Sequence, residues 1–294
     1  MADAVNPAIV LQGLGISEWT DLEPHPGGWG GTMLWRVRRQ AEPADLVLRV
    51  FPQGAVALAE REAIAHRAAI AAGVPAPAVI AWGAVDAHAA LLMTWCSGET
   101  VAARILCAPG DAHDIGVTCG TTLARLHATE APAAGSPFQR DWIVWGGAQT
   151  ERLRPALEAT TRGMPDHQLL HLDYHPENIL IDGERITAVI DWANVHVGPP
   201  LADLARMRSI LRIVEYHPAL PANARPLLKQ FEQGVLDGHA REYGPHPDLT
   251  PFDAWAYAVQ VADIGRKMGQ PGVWITSEQF ARLQRESDRL FASL

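Results

Sequence analysis

The segment His171-Leu172-Asp173-Tyr174-His175-Pro176-Glu177-Asn178 concentrates side chains that can do chemistry together. Asp173 and Asn178 stand five positions apart on it. Two short apolar runs follow, 178–181 and 185–190, around the tight-turn pair Asp182-Gly183, and the second ends at Asp191-Trp192. Such a hairpin carries the chain out and back. Asp191 is therefore expected to return beside Asp173 and Asn178. A carboxylate, an amide and a second carboxylate that converge in this way suit phosphoryl transfer. That reaction needs an acid group beside the attacking hydroxyl and oxygen ligands for magnesium on the phosphates. Another reading uses His171, Asp173 and His175. As alternate residues of a strand they would share a face and could bind a transition metal for hydrolysis. Pro176 breaks such a strand, and that reading leaves Asn178 and Asp191 unused.

The elements that must position these groups can be read from pattern. Residues 32–38 and 46–51 read as strands of an antiparallel hairpin, with Pro43 in the turn and the run from Gly27 to Gly31 ahead of it. Residues 56–72, rich in Ala, Glu and Arg, read as a helix stopped by Gly73. Residues 78–82 and 90–95 read as two more strands. The character changes after Gly98: 111–128 is helical, and the chain from Pro200 onward is mostly helix. The expectation is an α+β protein of two lobes, a small antiparallel sheet lobe over 1–95 and a larger, mainly helical lobe over 96–294.

The pattern HxDxxxxN, a hairpin and then an Asp resembles the catalytic segment of the aminoglycoside phosphotransferase and choline kinase-like family. The resemblance runs from about Leu22 to Arg206 and implies a protein-kinase-like fold with ATP and magnesium as cofactors. It implies Asp173 as catalytic base and Asn178 and Asp191 as magnesium ligands. Gly27, Gly28, Gly30 and Gly31 are placed like that family's glycine-rich loop, where the backbone can approach phosphate closely. Arg49 stands where the family carries a lysine on the third strand; no lysine precedes Lys229. Its planar fork can grip phosphate oxygens. Glu62 is the matching helix partner, with Glu60 as the alternative. Met93, Thr94 and Trp95 fall on the strand leading to the hinge, where backbone groups from Thr94 to Cys96 would meet the adenine edge. Asp203 would brace the 171–178 loop through backbone N–H groups, although Pro199 stands where the family usually has Asp. His127 resembles a family helix end and is read as structural, since a histidine there suits the helix dipole.

The bulk composition narrows the alternatives. The chain has 294 residues, 48% hydrophobic and 19% charged, with net charge −9. That balance fits a soluble globular protein and argues against nucleic acid as a partner. No apolar run reaches the roughly 18 residues a membrane helix needs. Residues 1–10 lack the basic and apolar regions of a secretory signal. Cys96, Cys107 and Cys119 read as free thiols of a reducing cytoplasm. All 24 basic residues except Lys229 and Lys267 are arginine. The partner expected is a small hydroxylated acceptor, aminoglycoside-like or another metabolite. Asp141, Trp142, Trp145, Glu215, Tyr216, Asp253, Trp255 and Asp263 are candidates to hold it if it is cationic, although most of the tryptophans are expected in the core. A nucleotide-binding scaffold without activity is the competing class. A protein kinase is disfavoured, because the Asp-Phe-Gly and Ala-Pro-Glu segments are missing.

Overall fold

Alternation along residues 45–50 sends Leu46, Leu48 and Val50 to one side and Val47 and Arg49 to the other, as the two-residue repeat of a strand requires. The computed structural model, which describes residues 5–26, 31–132, 138, 141–221, 223–270 and 273–294, builds its small lobe on that pattern. Strands β1 (Asp21–His25), β2 (Met33–Arg38), β3 (Asp45–Val50), β4 (Val79–Val85) and β5 (His88–Thr94) form one antiparallel sheet in the order β1-β2-β3-β5-β4. Helix α1 (Pro7–Gly13) covers one face, packing Val10 and Leu11 against Leu46, Leu48 and Leu92. Asn6 caps it by accepting the Ala8 N–H at 3.0 Å, and Pro7 occupies its first position, where no N–H is needed. Helix α2 (Val56–Ala71) covers the other face, where Ala59 and Ala63 meet Phe51, Leu91 and Met93. Arg49 lies on that second face, so the strand repeat alone aims it at α2.

Past Thr94 the chain forms β6 (Glu99–Thr100), α3 (Val101–Cys107) and α4 (Ala112–His127). Gly98 has φ +117°, and a Cβ there would sit 2.7 Å from the Ile181 carbonyl oxygen, so only glycine lets this connection pass so close to the hairpin. The remaining elements are α5 (Ala148–Glu151), α6 (Arg154–Thr160), β7 (Gln168–Leu170), β8 (Ile179–Asp182), β9 (Arg185–Val189), β10 (His196–Gly198), α7 (Leu201–Val214), α8 (Ala224–Tyr243), α9 (Thr250–Lys267) and α10 (Ser277–Ala292). Strands β8 and β9 are the expected hairpin, with β6 added along its edge. The core of this part holds Tyr174, Trp192, Phe231, Phe252 and Trp255, each fully buried. Burying such a side chain contributes roughly 1.5–3 kcal/mol.

The α+β architecture matches expectation. Strand β1 does not appear in the sequence reading: it is an edge strand, mostly exposed, and it carries Pro24, so no apolar alternation marks it.

Candidate active site

Strand β7 ends at Leu170, and Leu172 takes φ +58°, a left-handed conformation that leucine adopts only when its surroundings impose it. What imposes it is visible. Asp203, fully buried on α7, accepts the His171 N–H at 2.8 Å and the Leu172 N–H at 2.5 Å. Arg206, one turn further along α7, donates to the Leu172 carbonyl at 3.4 Å. The peptide unit is held from both sides, and the bend turns Asp173 away from the strand line. His171, Asp173 and His175 therefore do not share a strand face, which overturns the metal-hydrolase reading. The His171 ring is spent as well: Nδ1 accepts the Asp173 N–H at 3.2 Å, so Nε2 carries the proton toward the Ile190 carbonyl at 3.0 Å. Burial lowers the His171 pKa, which keeps the ring neutral. Among the described residues no cluster of His, Cys, Asp and Glu could hold a metal ion.

Asp173 and Asn178 do meet. A short 3-10 turn at Pro176–Asn178 folds the loop back, and the Asn178 amide nitrogen donates to the Asp173 carbonyl at 3.0 Å and to its carboxylate at 3.2 Å. Both partners can only accept, so the amide nitrogen faces them and its oxygen faces away. The hairpin then returns: Ile179 pairs with Val189, and the Ile190 N–H donates to the Asn178 carbonyl at 2.9 Å. Asp191, the next residue, is left-handed at φ +61°. Trp192 anchors it. Its indole N–H donates to the Val189 carbonyl at 3.0 Å, and its ring lies edge-on to His171 at 4.6 Å.

From the sheet side, Arg49 reaches the same place. Its guanidinium stands 3.0 Å from the Asp191 carboxylate and 3.4 Å from that of Glu62 on α2. Glu62 is fully buried, and its carboxyl oxygens have no hydrogen-bond partner among the described residues. Burial pushes its pKa up to about 7, against the opposing pull of Arg49. Burial would lower the Arg49 pKa, but Glu62 and Asp191 outweigh it and hold the guanidinium charged. Glu60 makes no ion pair among the described residues, so Glu62 is the partner that α2 presents.

Gly27, Gly28 and Gly30 lie outside the described residues; Gly31, at φ +81°, leads into β2. At the end of β5 the Thr94 and Trp95 amides already donate to Ala78 and Asp45, at 2.9 and 3.0 Å. The Cys96 amide has no partner among the described residues, which makes it the free donor of this segment. Met93 is buried against α2. The acidic acceptor-side candidates are not free. Asp141 pairs with Arg154 at 2.9 Å, Glu215 with Arg212 at 3.1 Å, Asp253 with Arg208 at 3.0 Å, and Asp263 with Arg266. Trp142 and Trp255 are core, packed edge-on at 4.7 Å. Tyr216 lies under the Arg282 guanidinium at 4.8 Å. Trp145 is half-buried between His196, at 5.2 Å, and Arg206, at 4.8 Å.

His127 needs a correction of its reason. It does end a helix, but it is fully buried, and its Nε2 lies 2.9 Å from Asp203. Its partner is a carboxylate on α7, not the dipole of α4. Sequence reasoning missed Arg206 altogether. The available signal was its place three residues after Asp203 on one helix face.

A small antiparallel sheet joined to a helical body, with an Asp–Asn loop and an Asp-bearing hairpin between them, is the architecture of the protein-kinase-like fold. The chain belongs to the phosphotransferase enzyme family, whose profile matches residues 21–244. Among solved structures it is similar to a thermostable mutant of aminoglycoside phosphotransferase APH(4)-Ia in complex with ADP and hygromycin B, at 17% identity and TM-score 0.62, covering 97% of both chains. It is similar to choline kinase LicA from Streptococcus pneumoniae, at 16% identity and TM-score 0.59, covering 97% of this chain and 98% of that one. It also resembles aminoglycoside phosphotransferase APH(3'')-Id from Streptomyces rimosus in complex with ADP and streptomycin, at 18% identity and TM-score 0.57, covering 81% and 91%. At these identities the likeness is one of fold. A search of curated proteins finds no match.

Proposed function

We propose that this protein transfers the γ-phosphate of ATP to a hydroxyl of a small molecule, with magnesium. The observation that carries the reading is the meeting at Asp191: a sheet arginine, a buried helix glutamate and the hairpin aspartate come together beside the Asp173–Asn178 loop.

The donor set fits the metal. The Asn178 amide oxygen and the second Asp191 carboxylate oxygen accept no hydrogen bond from the described residues, and oxygens of this kind suit a hard cation. Asn178 and Asp191 would hold magnesium, which when bound neutralises phosphate charge. Arg49, kept charged and aimed by Glu62, binds phosphate oxygens. Asp173 takes the proton of the attacking hydroxyl, and the bonds from Asn178 fix its carboxylate for that task. The free Cys96 amide binds the adenine edge. In this reading residues 1–95 form the nucleotide lobe and 96–294 the catalytic and acceptor lobe. Structures of two relatives contain ADP with hygromycin B or streptomycin, which supports a nucleotide donor and a hydroxylated acceptor here.

The arginine pairing of Asp141, Glu215, Asp253 and Asp263 reduces the free negative charge available to a cationic acceptor. The acceptor is therefore a hydroxylated molecule selected by more than charge. The test is ATP consumption, with and without magnesium, across aminoglycosides, macrolides, choline, ethanolamine, homoserine and simple sugars. Magnesium-dependent turnover with one acceptor class is expected. Absence of any nucleotide-induced rise in melting temperature would refute the reading.

No described helix is long and apolar enough to cross a membrane.

A further inference from the structure

Asp203 braces the loop that carries Asp173, and it does not act alone. Three histidines line up behind it. His127 Nε2 lies 2.9 Å from the Asp203 carboxylate, His127 Nδ1 lies 2.8 Å from His239 Nε2, and His239 Nδ1 lies 2.9 Å from His246 Nε2. A carboxylate only accepts, so His127 must carry its proton on Nε2. With the His127 ring neutral its Nδ1 is an acceptor, and His239 then carries its proton on Nε2. The same step fixes His246. Every N–H in the row points inward, toward Asp203. His127 and His239 are fully buried, and His246, just past α8, is half-buried at the outer end.

The backbone is shaped to allow this row. Helices α4 and α8 approach so closely that a Cβ on Gly120 would lie 2.1 Å from the Val235 carbonyl oxygen and 2.8 Å from the His239 nitrogen. A Cβ on Gly238 would lie 2.2 Å from the Val117 carbonyl oxygen. Glycine at both positions brings His127 and His239 within hydrogen-bond distance.

We propose that His239 and His246 are positioning residues, which hold His127 as a donor to Asp203 and thereby hold the Asp173 loop in its reactive geometry. The inference rests on the phosphotransferase reading for its kinetic consequences. The contact with His239 at Nδ1 fixes the His127 ring, so that its Nε2–H stays on Asp203 and the Asp203 carboxylate stays on the His171 and Leu172 amides. Burial is the main cause that holds the His239 pKa down at about 2 and lowers that of His246, which keeps these two rings neutral. The ring of Tyr243 flanks both His127 and His239, at 6.4 and 5.1 Å. Asp203 is the one carboxylate hydrogen-bonded to the row among the described residues.

The test compares His239→Leu with His239→Gln in the full chain. A glutamine amide nitrogen can reach the position of the imidazole Nε2 and donate to His127; leucine cannot. In His239→Leu, kcat is expected to fall about tenfold, the factor that one hydrogen bond of ordinary strength supplies. The KM for nucleotide should stay unchanged, and His239→Gln should restore kcat. Nitrogen-15 NMR of the labelled histidines supplies an arm independent of turnover: all three should carry the proton on Nε2 in the wild-type protein. Wild-type kcat in His239→Leu would overturn the proposal, as would equal loss in both variants or a His127 proton on Nδ1. If no acceptor is found, the NMR arm still decides the row. If His239→Leu does not fold, His246→Leu, at the half-buried end, is read by the same measures and should show a smaller shift in the same direction.

Discussion

Glu62→Gln is the perturbation whose size follows most directly from the structure. The Glu62 carboxyl is fully buried without a hydrogen-bond partner among the described residues, and burial raises its pKa from 4.5 to about 7. The unfolded chain loses this proton near the lower value and the folded protein near the upper one. Between them the folded state binds more protons, so stability falls as pH rises through that window. The contribution is fully present below the unfolded value and gone above the folded one. From 4.5 to about 7, at about 1.4 kcal/mol per pH unit, the loss is about 3 kcal/mol. Glutamine is neutral throughout and escapes it. The variant should therefore match the wild type below about pH 4 and exceed it by up to about 3 kcal/mol near about pH 8. At roughly 2–4 °C per kcal/mol, that is about 6–12 °C in melting temperature. The assay is thermal unfolding of both proteins without nucleotide across that range. Parallel curves with the same pH slope would refute the argument. The gain should come with a functional loss, because glutamine cannot hold Arg49 by charge, and the KM for ATP should rise. A buried carboxylate kept at such a cost is the kind of exception that marks a working site.

Asp173→Asn should lower turnover by about a hundredfold or more, in line with loss of a general base, while the nucleotide-induced rise in melting temperature persists. Asp203→Asn replaces an acceptor of three donors with a group that must turn its own N–H2 toward one of them. It should destabilise the protein by about 2–4 kcal/mol in chemical unfolding and lower kcat more than it changes the KM for ATP. Arg49→Lys keeps the charge but loses the fork that spans Glu62 and Asp191, so the KM for ATP should change with little effect on acceptor KM.

Much of the site was legible along the chain because it is built from short-range devices. Asp173 and Asn178 share one loop, the Asp182-Gly183 turn marks the hairpin that returns Asp191, and alternation along β3 turns Arg49 toward α2. Residues two apart on a helix face different ways, so only one of Glu60 and Glu62 could meet Arg49; the family resemblance pointed to Glu62, and the structure pairs it. The exposed strand β1 left no pattern to read.

What the sequence determined by itself was thus the chemistry-bearing set and the fold that carries it, because hairpins and strand faces depend on neighbours within a few residues. Only the tertiary structure decided which groups are free to act. The candidate acceptor-side carboxylates proved to be paired with arginines, and His171 proved to be a strut between loop and hairpin, not a metal ligand. His127 lies 76 positions from Asp203 and 112 from His239, and no local pattern encodes a contact at that separation. It exists because glycines let α4 and α8 close together over Asp203, and the direction of its hydrogen bonds follows from a carboxylate that can only accept.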